Sequence, residues 1–442
     1  MTQSPPANID LAAALAEAED HYRAANPASL AQHRAACAAM PGGNTRASIH
    51  VDPFPLTMAR GEGAHLWDLD GHEYADFLSE FTAGIYGHSH PAIRRAIAEA
   101  LDVGLNFGAQ NEAEARFAAA ICARFPSIDL VRFTNSGTEA NLMAVSAARA
   151  ITGRPKILVF GGGYHGGVFY FRGHGSAINA PFDYLVGRYN DLDAVEELVR
   201  PHGAELAAIL VEPMQGTTGC IPAEPEFLAG LRALADATGA MLIFDEVMTS
   251  RLAPGGLQEA LGILPDLTTL GKYLGGGMSF GAFGGSTRIM ERFDPRRPDA
   301  FQHAGTFNNN VLTMSAGYVG LTEIYTPGRA LSLNESGDGL RRRLDQIVRR
   351  HRLAMQFTGR GSMMSVHMTD LPIRSEEDAA RGDSALRDLF WFDLVAAGVW
   401  FAKRGMFALS IALDEADGDR LAAAVEDFAQ TRAPLFAAAP QI

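Results

Sequence analysis

Apolar residues recur along this chain in several distinct rhythms. From Ile9 to Cys37 they follow a helical period in an alanine-rich stretch, broken near Asn26-Pro27 and stopped by Met40-Pro41-Gly42-Gly43. From Leu56 to Phe77 apolar and polar residues alternate around Arg60-Gly61-Glu62-Gly63 and Asp70-Gly71, which predicts a small antiparallel meander. The middle of the chain sets short β-rich runs against helical stretches. Leu130 to Thr134 precedes a helix over Thr138 to Ile151, and Lys156 to Phe160 precedes one over Leu192 to Pro201. Leu206 to Glu212 is followed by a helix over Pro225 to Thr238 and by Met241 to Asp245. Runs such as Ala207 to Val211 and Met241 to Phe244 lack polar alternation, as expected of strands covered on both faces of a parallel sheet.

After Tyr325-Thr326-Pro327-Gly328 the composition shifts. An Arg-rich helix to His351, strands near Ser362 to His367 and Phe407 to Ala412, and a helix over Glu415 to Arg432 predict a smaller α+β unit. The expected organisation is an N-terminal segment over 1–75, a large α/β domain over 76–325 and a small domain over 326–442. The N-terminal segment is expected to pack with the small domain.

Bulk properties narrow the function classes. A chain of 442 residues can bury a large core. Its net charge of −14 disfavours nucleic acid or an anionic membrane as the main partner. The longest apolar runs are strand-sized, too short to span a bilayer, and the N-terminus has no apolar leader, so a cytoplasmic protein is expected. Cys37, Cys122 and Cys220 are widely spaced without a CxxC pair, which argues against a disulfide framework or a zinc site. His88 and His90 lack partners at ligand spacing, and no metal is expected.

Candidate chemistry begins with lysine. Lys156, Lys272 and Lys403 are the only lysines among 37 basic residues, and Lys272 lies in the glycine-rich stretch Thr268 to Gly277. A primary amine can lose its proton when partly buried and form a Schiff base, whereas a guanidinium cannot. Codon bias explains the scarcity of lysine equally well, so the neighbours must decide.

Ser136-Gly137-Thr138 ends a strand and opens a helix, offering free amides, two hydroxyls and the positive end of the helix dipole. A simple N-cap is the competing reading. Asp245, in Phe244-Asp245-Glu246-Val247, sits at the carboxyl end of a strand, where parallel sheets bind ligands; a helix cap or solvated strand end competes. Gly161-Gly162-Gly163-Tyr164-His165-Gly166 satisfies GxGxxG after a strand, with Asp183 at a suitable distance. A dinucleotide fingerprint also needs a helix at the glycines, and the chain continues instead through β-rich Gly167 to Gly173. Tyr164-His165 reads better as an aromatic platform on a glycine loop. Arg46 and Arg404 are isolated cations beside glycines.

An amine, a phosphate cradle, a strand-end carboxylate and an aromatic platform are used together in pyridoxal 5′-phosphate (PLP) catalysis. In that chemistry Lys272 forms the aldimine and Ser136, Gly137 and Thr138 hold the phosphate. Asp245 faces the pyridine nitrogen, and Tyr164 stacks on the ring.

Asn135-Ser136-Gly137-Thr138-Glu139-Ala140, Val211-Glu212-Pro213, Phe244-Asp245-Glu246-Val247, Leu270-Gly271-Lys272 and Gly305-Thr306-Phe307 strongly resemble the class III aminotransferases of PLP fold type I. The resemblance runs from about Met40 to the C-terminus. It implies an α/β fold with a mostly parallel seven-stranded sheet in a large domain, plus a smaller α+β domain. It also implies that His165, Glu212, Gln215 and Val247 line the cofactor, and that Thr306 reaches the cofactor of a partner subunit in a homodimer.

Two branches compete within that family. Gly275-Gly276-Gly277-Met278 and Gly281 to Gly285 look like the glutamate-1-semialdehyde 2,1-aminomutases, but Met278-Ser279-Phe280 and Asn308-Asn309-Asn310-Val311 depart from that branch. Pro41 to Arg46, Met248 to Pro254, Gly305 to Asn310 and Arg404-Gly405 are closer to the bacterial β-phenylalanine aminotransferases. That likeness implies ping-pong transfer from a β-amino acid to 2-oxoglutarate or pyruvate. Arg46 would bind the β-amino acid carboxylate, and Arg404 an acceptor or donor carboxylate, moving aside for an aromatic group. Ala402-Lys403 before Arg404 differs from that branch, which bears on the side-chain pocket. Phe81 and Tyr86 are candidates to line that pocket, with core aromatics as the alternative. A PLP-binding sensor with a dead site is the reading from outside enzymology.

Overall fold

The structure is a computed structural model that describes residues 10–438. Its centre is a sheet whose strands are numbered here in chain order: β1 (Leu130–Thr134), β2 (Lys156–Phe160), β3 (Asp183–Gly187), β4 (Leu206–Val211), β5 (Met241–Asp245), β6 (Leu267–Gly271) and β7 (Gly281–Gly285). They are arranged β1-β7-β6-β5-β4-β2-β3. All run parallel except β7, which pairs antiparallel with both β6 and β1. The mostly parallel seven-stranded α/β sheet expected from the sequence is therefore present.

Strand periodicity explains how the sheet is covered. Along β5, Met241 and Ile243 face one core, and Leu242 and Phe244 face the other. The helix Gly137–Thr152 covers the first face with Ala140, Ala144, Ala147 and Ala148, small residues that let it approach the sheet closely. Phe227, Leu228 and Leu231 of the helix Pro225–Thr238 fill the second face. Each such side chain contributes about 1.5–3 kcal/mol by leaving water.

Three strands of this sheet were not legible in the sequence. Lys272 was expected in a glycine-rich loop; instead it directly follows β6, which is buried along its whole length. The polar residues that disguised β6 are satisfied internally. Thr268 Oγ1 lies 2.8 Å from Ser127 Oγ, and Thr269 Oγ1 donates to Asn141 Oδ1 at 2.8 Å. β7 was hidden by its glycines. At Gly281 a Cβ would overlap the carbonyl of Ser136, so glycine is what lets β7 lie against the turn that opens the helix Gly137–Thr152. Asp183, considered as the acid of a dinucleotide fingerprint, begins β3 and pairs with Lys156 at 2.7 Å. No helix opens at Gly161 to Gly166. The loop folds back on itself, with Phe171 N donating to Gly163 O at 2.8 Å.

The helices Leu11–Ala25 and Pro27–Cys37 break at Asn26 as expected, while Ile9 lies outside the described residues. The meander Met58–Glu62, His65–Asp68 and Glu73–Asp76 is extended by a parallel pairing of Glu73–Asp76 with Val399–Trp400. Tyr22 packs against Trp391 and Phe392 of the helix Ser384–Ala396 and donates to Phe54 O at 2.8 Å. That helix and the strand Gln356–Arg360 were not expected. The latter pairs with Met363–His367, which in turn pairs with Met406–Ala408, a shorter strand than the sequence suggested. Among the described residues no helix is long and apolar enough to cross a membrane.

The contact at Gly281 yields a test. Gly281→Ala is expected to destabilise the protein by about 1–3 kcal/mol, because neither the strand nor the Ser136 carbonyl can retreat. Denaturant unfolding of the two proteins measures it, and an unchanged midpoint would contradict the packing described.

Candidate active site

The carboxyl ends of β1, β5 and β6 bring the predicted groups together. Lys272 adopts a left-handed φ of +55° immediately after β6, and its Nζ donates to the carbonyl of Phe81 at 2.9 Å. The other two lysines are paired, Lys156 with Asp183 and Glu205, and Lys403 with Asp388. Lys272 has no carboxylate within ion-pair range among the described residues. Burial, reinforced by Arg404 and Arg46, pushes its pKa down to about 8 against the opposing pull of Asp245 and Glu212.

Asp245 ends β5 and is buried. Its Oδ2 accepts from Asn141 Nδ2 and His165 Nδ1, both at 2.8 Å, and its Oδ1 accepts from Val247 N at 3.0 Å. The Thr269 hydroxyl makes its shorter contact with Asn141, fixing that amide in turn. Neighbouring Glu246 points the other way and is consumed structurally, accepting from the Leu257 and Gln258 amides and the Thr249 hydroxyl. Asn141 and Thr269 were not singled out from the sequence, although both lie in segments quoted there. The signal was polar side chains on a helix and a strand that face a core.

The Ser136 hydroxyl caps its own helix, accepting from Glu139 N at 3.1 Å, so the capping reading describes that side chain. The amides of Gly137 and Thr138 make no hydrogen bond among the described residues, which leaves donors at the positive end of a 16-residue helix. Gly137 lies flat on Val247, whose Cγ2 would stand 2.9 Å from a Cβ there, and Gly271 meets the same side chain. Thr138 Oγ1 accepts from Gly167 N at 3.3 Å. Glu212 accepts from the amides of Tyr164 and Gly216, both at 3.0 Å, and burial pushes its pKa up to about 7. It thereby fixes the Tyr164 ring, which is 37% exposed and stands edge-on to Tyr170. Gln215 donates to Gly161 O at 2.8 Å, and its buried Oε1 has no partner.

Two guanidinia lie close to one ring. Arg46 Cζ lies 5.2 Å and Arg404 Cζ 4.8 Å from the centroid of Phe81. Arg46 is exposed and Arg404 half-buried, and neither makes an ion pair among the described residues. Burial and the like charges of Arg172 and Arg46 push the Arg404 pKa down to about 10, while Cys220 and Tyr164 oppose them. Phe81 itself sits in a run of four residues with positive φ, Ser79 to Thr82. Arg251, missed in the sequence, anchors that run. Completely buried, it donates to the carbonyls of Thr82 and Leu409 and to Ser362 Oγ.

Two expected residues lie apart from the cluster. Tyr86 is buried in the core beside Tyr273 and the backbone of Gly320, so its ring is packing rather than lining. Thr306 is exposed and makes no contact with the Lys272 cluster of its own chain. Among the described residues no group of three or more His, Cys, Asp or Glu is placed to hold a metal ion.

The signature of the class III aminotransferases matches residues 47–412. The chain belongs to that family. It is 54% identical to a beta-phenylalanine transaminase of Variovorax paradoxus over 94% of this chain and 95% of that protein. The crystal structure of a beta-phenylalanine aminotransferase from the same organism superposes with a TM-score of 0.93, covering 95% and 97% of the two chains. A glutamate-1-semialdehyde 2,1-aminomutase of Pelotomaculum thermopropionicum is 38% identical over 87% of this chain and 93% of that one. A transaminase structure with PLP bound is 32% identical, with a TM-score of 0.85 over 93% and 98%.

The cofactor of this aminotransferase is PLP. The residues present fit it. Two free helix amides could hold a phosphate, flush glycines beside Val247 leave a flat wall, an oriented carboxylate stands at a strand end, and an amine stands without a counter-ion.

The depressed Lys272 pKa carries a stability consequence. Below about pH 8 the lysine is charged in the folded and unfolded chains alike, and the folded state carries the whole desolvation cost. Between about pH 8 and 10.5 the folded form is neutral while the unfolded form is charged, so the cost fades as pH rises. Lys272→Met in cofactor-free protein is therefore expected to be more stable at pH 7, by on the order of 2 kcal/mol. The gain should shrink toward pH 10.5. Thermal melts across that range check it; a variant less stable at pH 7 would refute the burial argument.

Proposed function

We propose that this enzyme transfers the amino group of an aromatic β-amino acid, of the β-phenylalanine type, to a 2-oxo acid in a ping-pong cycle. The observation that carries the reading is the pair of unpaired guanidinia, Arg46 and Arg404, both against the ring of Phe81, whose carbonyl accepts from Lys272 Nζ. Two cations beside one amine suit substrates that bring a carboxylate in each half-reaction. The similarity to the Variovorax paradoxus beta-phenylalanine transaminase supports the same substrate class.

PLP supplies a conjugated ring that accepts the electrons left when the carbon bearing nitrogen loses its proton. The chain supplies the rest. The Gly137 and Thr138 amides and the Thr138 hydroxyl would hold the phosphate, with the Ser136 hydroxyl acting through the helix cap. Asp245, oriented by Asn141 and His165, would be the partner of the ring nitrogen. Val247 and Tyr164, the latter set by Glu212, would pack against the ring. Gln215 holds the glycine loop at Gly161.

Lys272 Nζ, already inclined to neutrality, would be the base that takes the proton from the substrate Cβ. In a β-amino acid the carboxylate lies one carbon further from the reacting centre than in an α-amino acid. Arg46 is the guanidinium that grips it there. Arg404 takes a carboxylate of the acceptor, and the Phe81 ring in contact with both borders the side-chain pocket. Exposed Thr306 and Phe307 reach a second copy of the chain, making the active unit a homodimer. The three free cysteines suit a cytoplasmic setting, and the pocket lies in a large domain over 76–325, closed by the flanking segments.

Arg46→Ala is the discriminating experiment. It should lower kcat/KM for β-phenylalanine about 100-fold while changing that for 1-phenylethylamine, which has no carboxylate, by less than about threefold. Steady-state kinetics on both donors with one acceptor measure it. Equal losses would show Arg46 to be structural and remove the basis for a β-amino acid substrate.

A further inference from the structure

The fold gives His88 two acidic partners. Its imidazole Nε2 lies 2.9 Å from Asp76 Oδ2, and its Nδ1 lies 3.8 Å from Glu80 Oε1. Glycine makes room for the ring. A Cβ on Gly61 would stand 2.6 Å from His88 Cγ, so the imidazole lies against bare backbone of the strand Met58–Glu62. Paired backbone bonds fix the residue as a whole: His88 N donates to Gly63 O at 2.8 Å, and Gly63 N donates to His88 O at 3.2 Å.

The other oxygen of Asp76 connects this contact to the pocket. Asp76 is buried, and its Oδ1 accepts from the amides of Leu78 and Ser79, both at 2.9 Å. Those amides open the run Ser79 to Thr82, whose four positive φ values present the Phe81 carbonyl to Lys272 Nζ at 2.9 Å. Such a run persists only where its surroundings over-determine it. Among the described residues His88 is the only side chain that hydrogen-bonds the Asp76 carboxylate. Without it one oxygen of a buried carboxylate is unmatched, and the group is free to turn away from the Leu78 and Ser79 amides. The bond to Asp76 raises the His88 pKa above its ordinary value, with burial opposing.

We propose that His88 is a positioning residue for Lys272: by holding Asp76 it fixes the run that carries the Phe81 carbonyl, and so sets how the amine is oriented and protonated. The proposal rests on Lys272 as the reacting amine and not on the choice of amino donor. The Phe81 carbonyl accepts more strongly from an ammonium than from a neutral amine, because a charge-assisted hydrogen bond is the stronger kind. Misplacing that carbonyl leaves burial less opposed and moves the Lys272 pKa further down from about 8.

The scarcity of lysine makes this measurable. Carbon-13 labelling at the lysine Cε reports on Lys156, Lys272 and Lys403 alone, and Lys272→Met assigns the resonance of interest. The titration of that resonance in the cofactor-free chain is compared in wild type, His88→Asn and His88→Gln. Gln places its amide nitrogen near the position of Nε2 and can still donate to Asp76, whereas Asn places it near Nδ1 and cannot. The Lys272 midpoint should fall by at least about half a pH unit in His88→Asn and stay within about 0.2 of wild type in His88→Gln. In holoenzyme with β-phenylalanine as donor, kcat should fall about tenfold in His88→Asn with KM changed less than about twofold, and His88→Gln should restore most of it. An unchanged Lys272 titration in His88→Asn, even with a lowered melting temperature, makes His88 merely structural and overturns the proposal. An equal shift in both variants overturns it too. If His88→Asn fails to fold, His88→Leu, which fills the space of the ring without any donor, takes its place. A wild-type enzyme inert toward β-phenylalanine defeats the donor assignment, and the titration still decides the role of His88.

Discussion

Three cations, Lys272, Arg46 and Arg404, converge on Phe81 without a carboxylate in ion-pair contact, and much of the pocket follows from their mutual repulsion. Each arginine lowers the pKa of the lysine, and Arg46 lowers that of Arg404. Such a cluster of like charges costs stability unless an anion completes it. Arg251 shows the contrast. It is also a buried guanidinium without a carboxylate, yet three oxygen acceptors satisfy it. Arg404 has only the Met406 sulfur, a weak acceptor, and keeps an unpartnered Nε. The first is a structural tie, and the second keeps hydrogen-bonding capacity to spare.

The cations are held in place by strained backbone. Ser79, Glu80, Phe81 and Thr82 all have positive φ, at about 1–2 kcal/mol each for residues other than glycine. Contacts from both neighbouring and distant residues offset that strain. Asp76 Oδ1 accepts from the Leu78 and Ser79 amides, Ser79 Oγ donates to Ala408 O, and Arg251 donates to Thr82 O. The Phe81 carbonyl is thereby turned toward Lys272, and its ring is set against both arginines. The pocket consequently depends on the N-terminal meander and the C-terminal sheet meeting the end of β6 in one geometry.

The chemistry was more legible in the sequence than its setting. Asp245 and Lys272 could be found because their residue types are rare at strand ends in apolar surroundings. Asn141 and Thr269 could not, because a polar residue facing a core looks the same in sequence as one facing water. β6 and β7 were obscured by Thr and Gly, which signal turns locally. Thr268 and Thr269 are satisfied by side chains more than a hundred residues away, and Gly281 answers to the Ser136 carbonyl. Ser136 was placed correctly as a turn residue, but the choice between capping and ligand binding depended on where one hydroxyl points. Tyr86 was unresolvable for a related reason, since aromatic rings in cores and in pockets have the same neighbours in sequence.

The two arginines differ in what their surroundings let them do. Arg46 is exposed, so its attraction for a carboxylate is screened by water and depends on the forked geometry of the guanidinium. Arg404 lies deeper, where the same charge acts through a medium of lower polarity and an unmet hydrogen bond costs more. On the proposed reading, a donor that enters and leaves through the open side of the pocket would be matched to the first environment. An acceptor carboxylate recognised against a bulky apolar substituent would be matched to the second, because only a charge overcomes the cost of leaving water there. Discrimination between the proposed half-reactions would then follow from depth as much as from position, with the Phe81 ring in contact with both guanidinia.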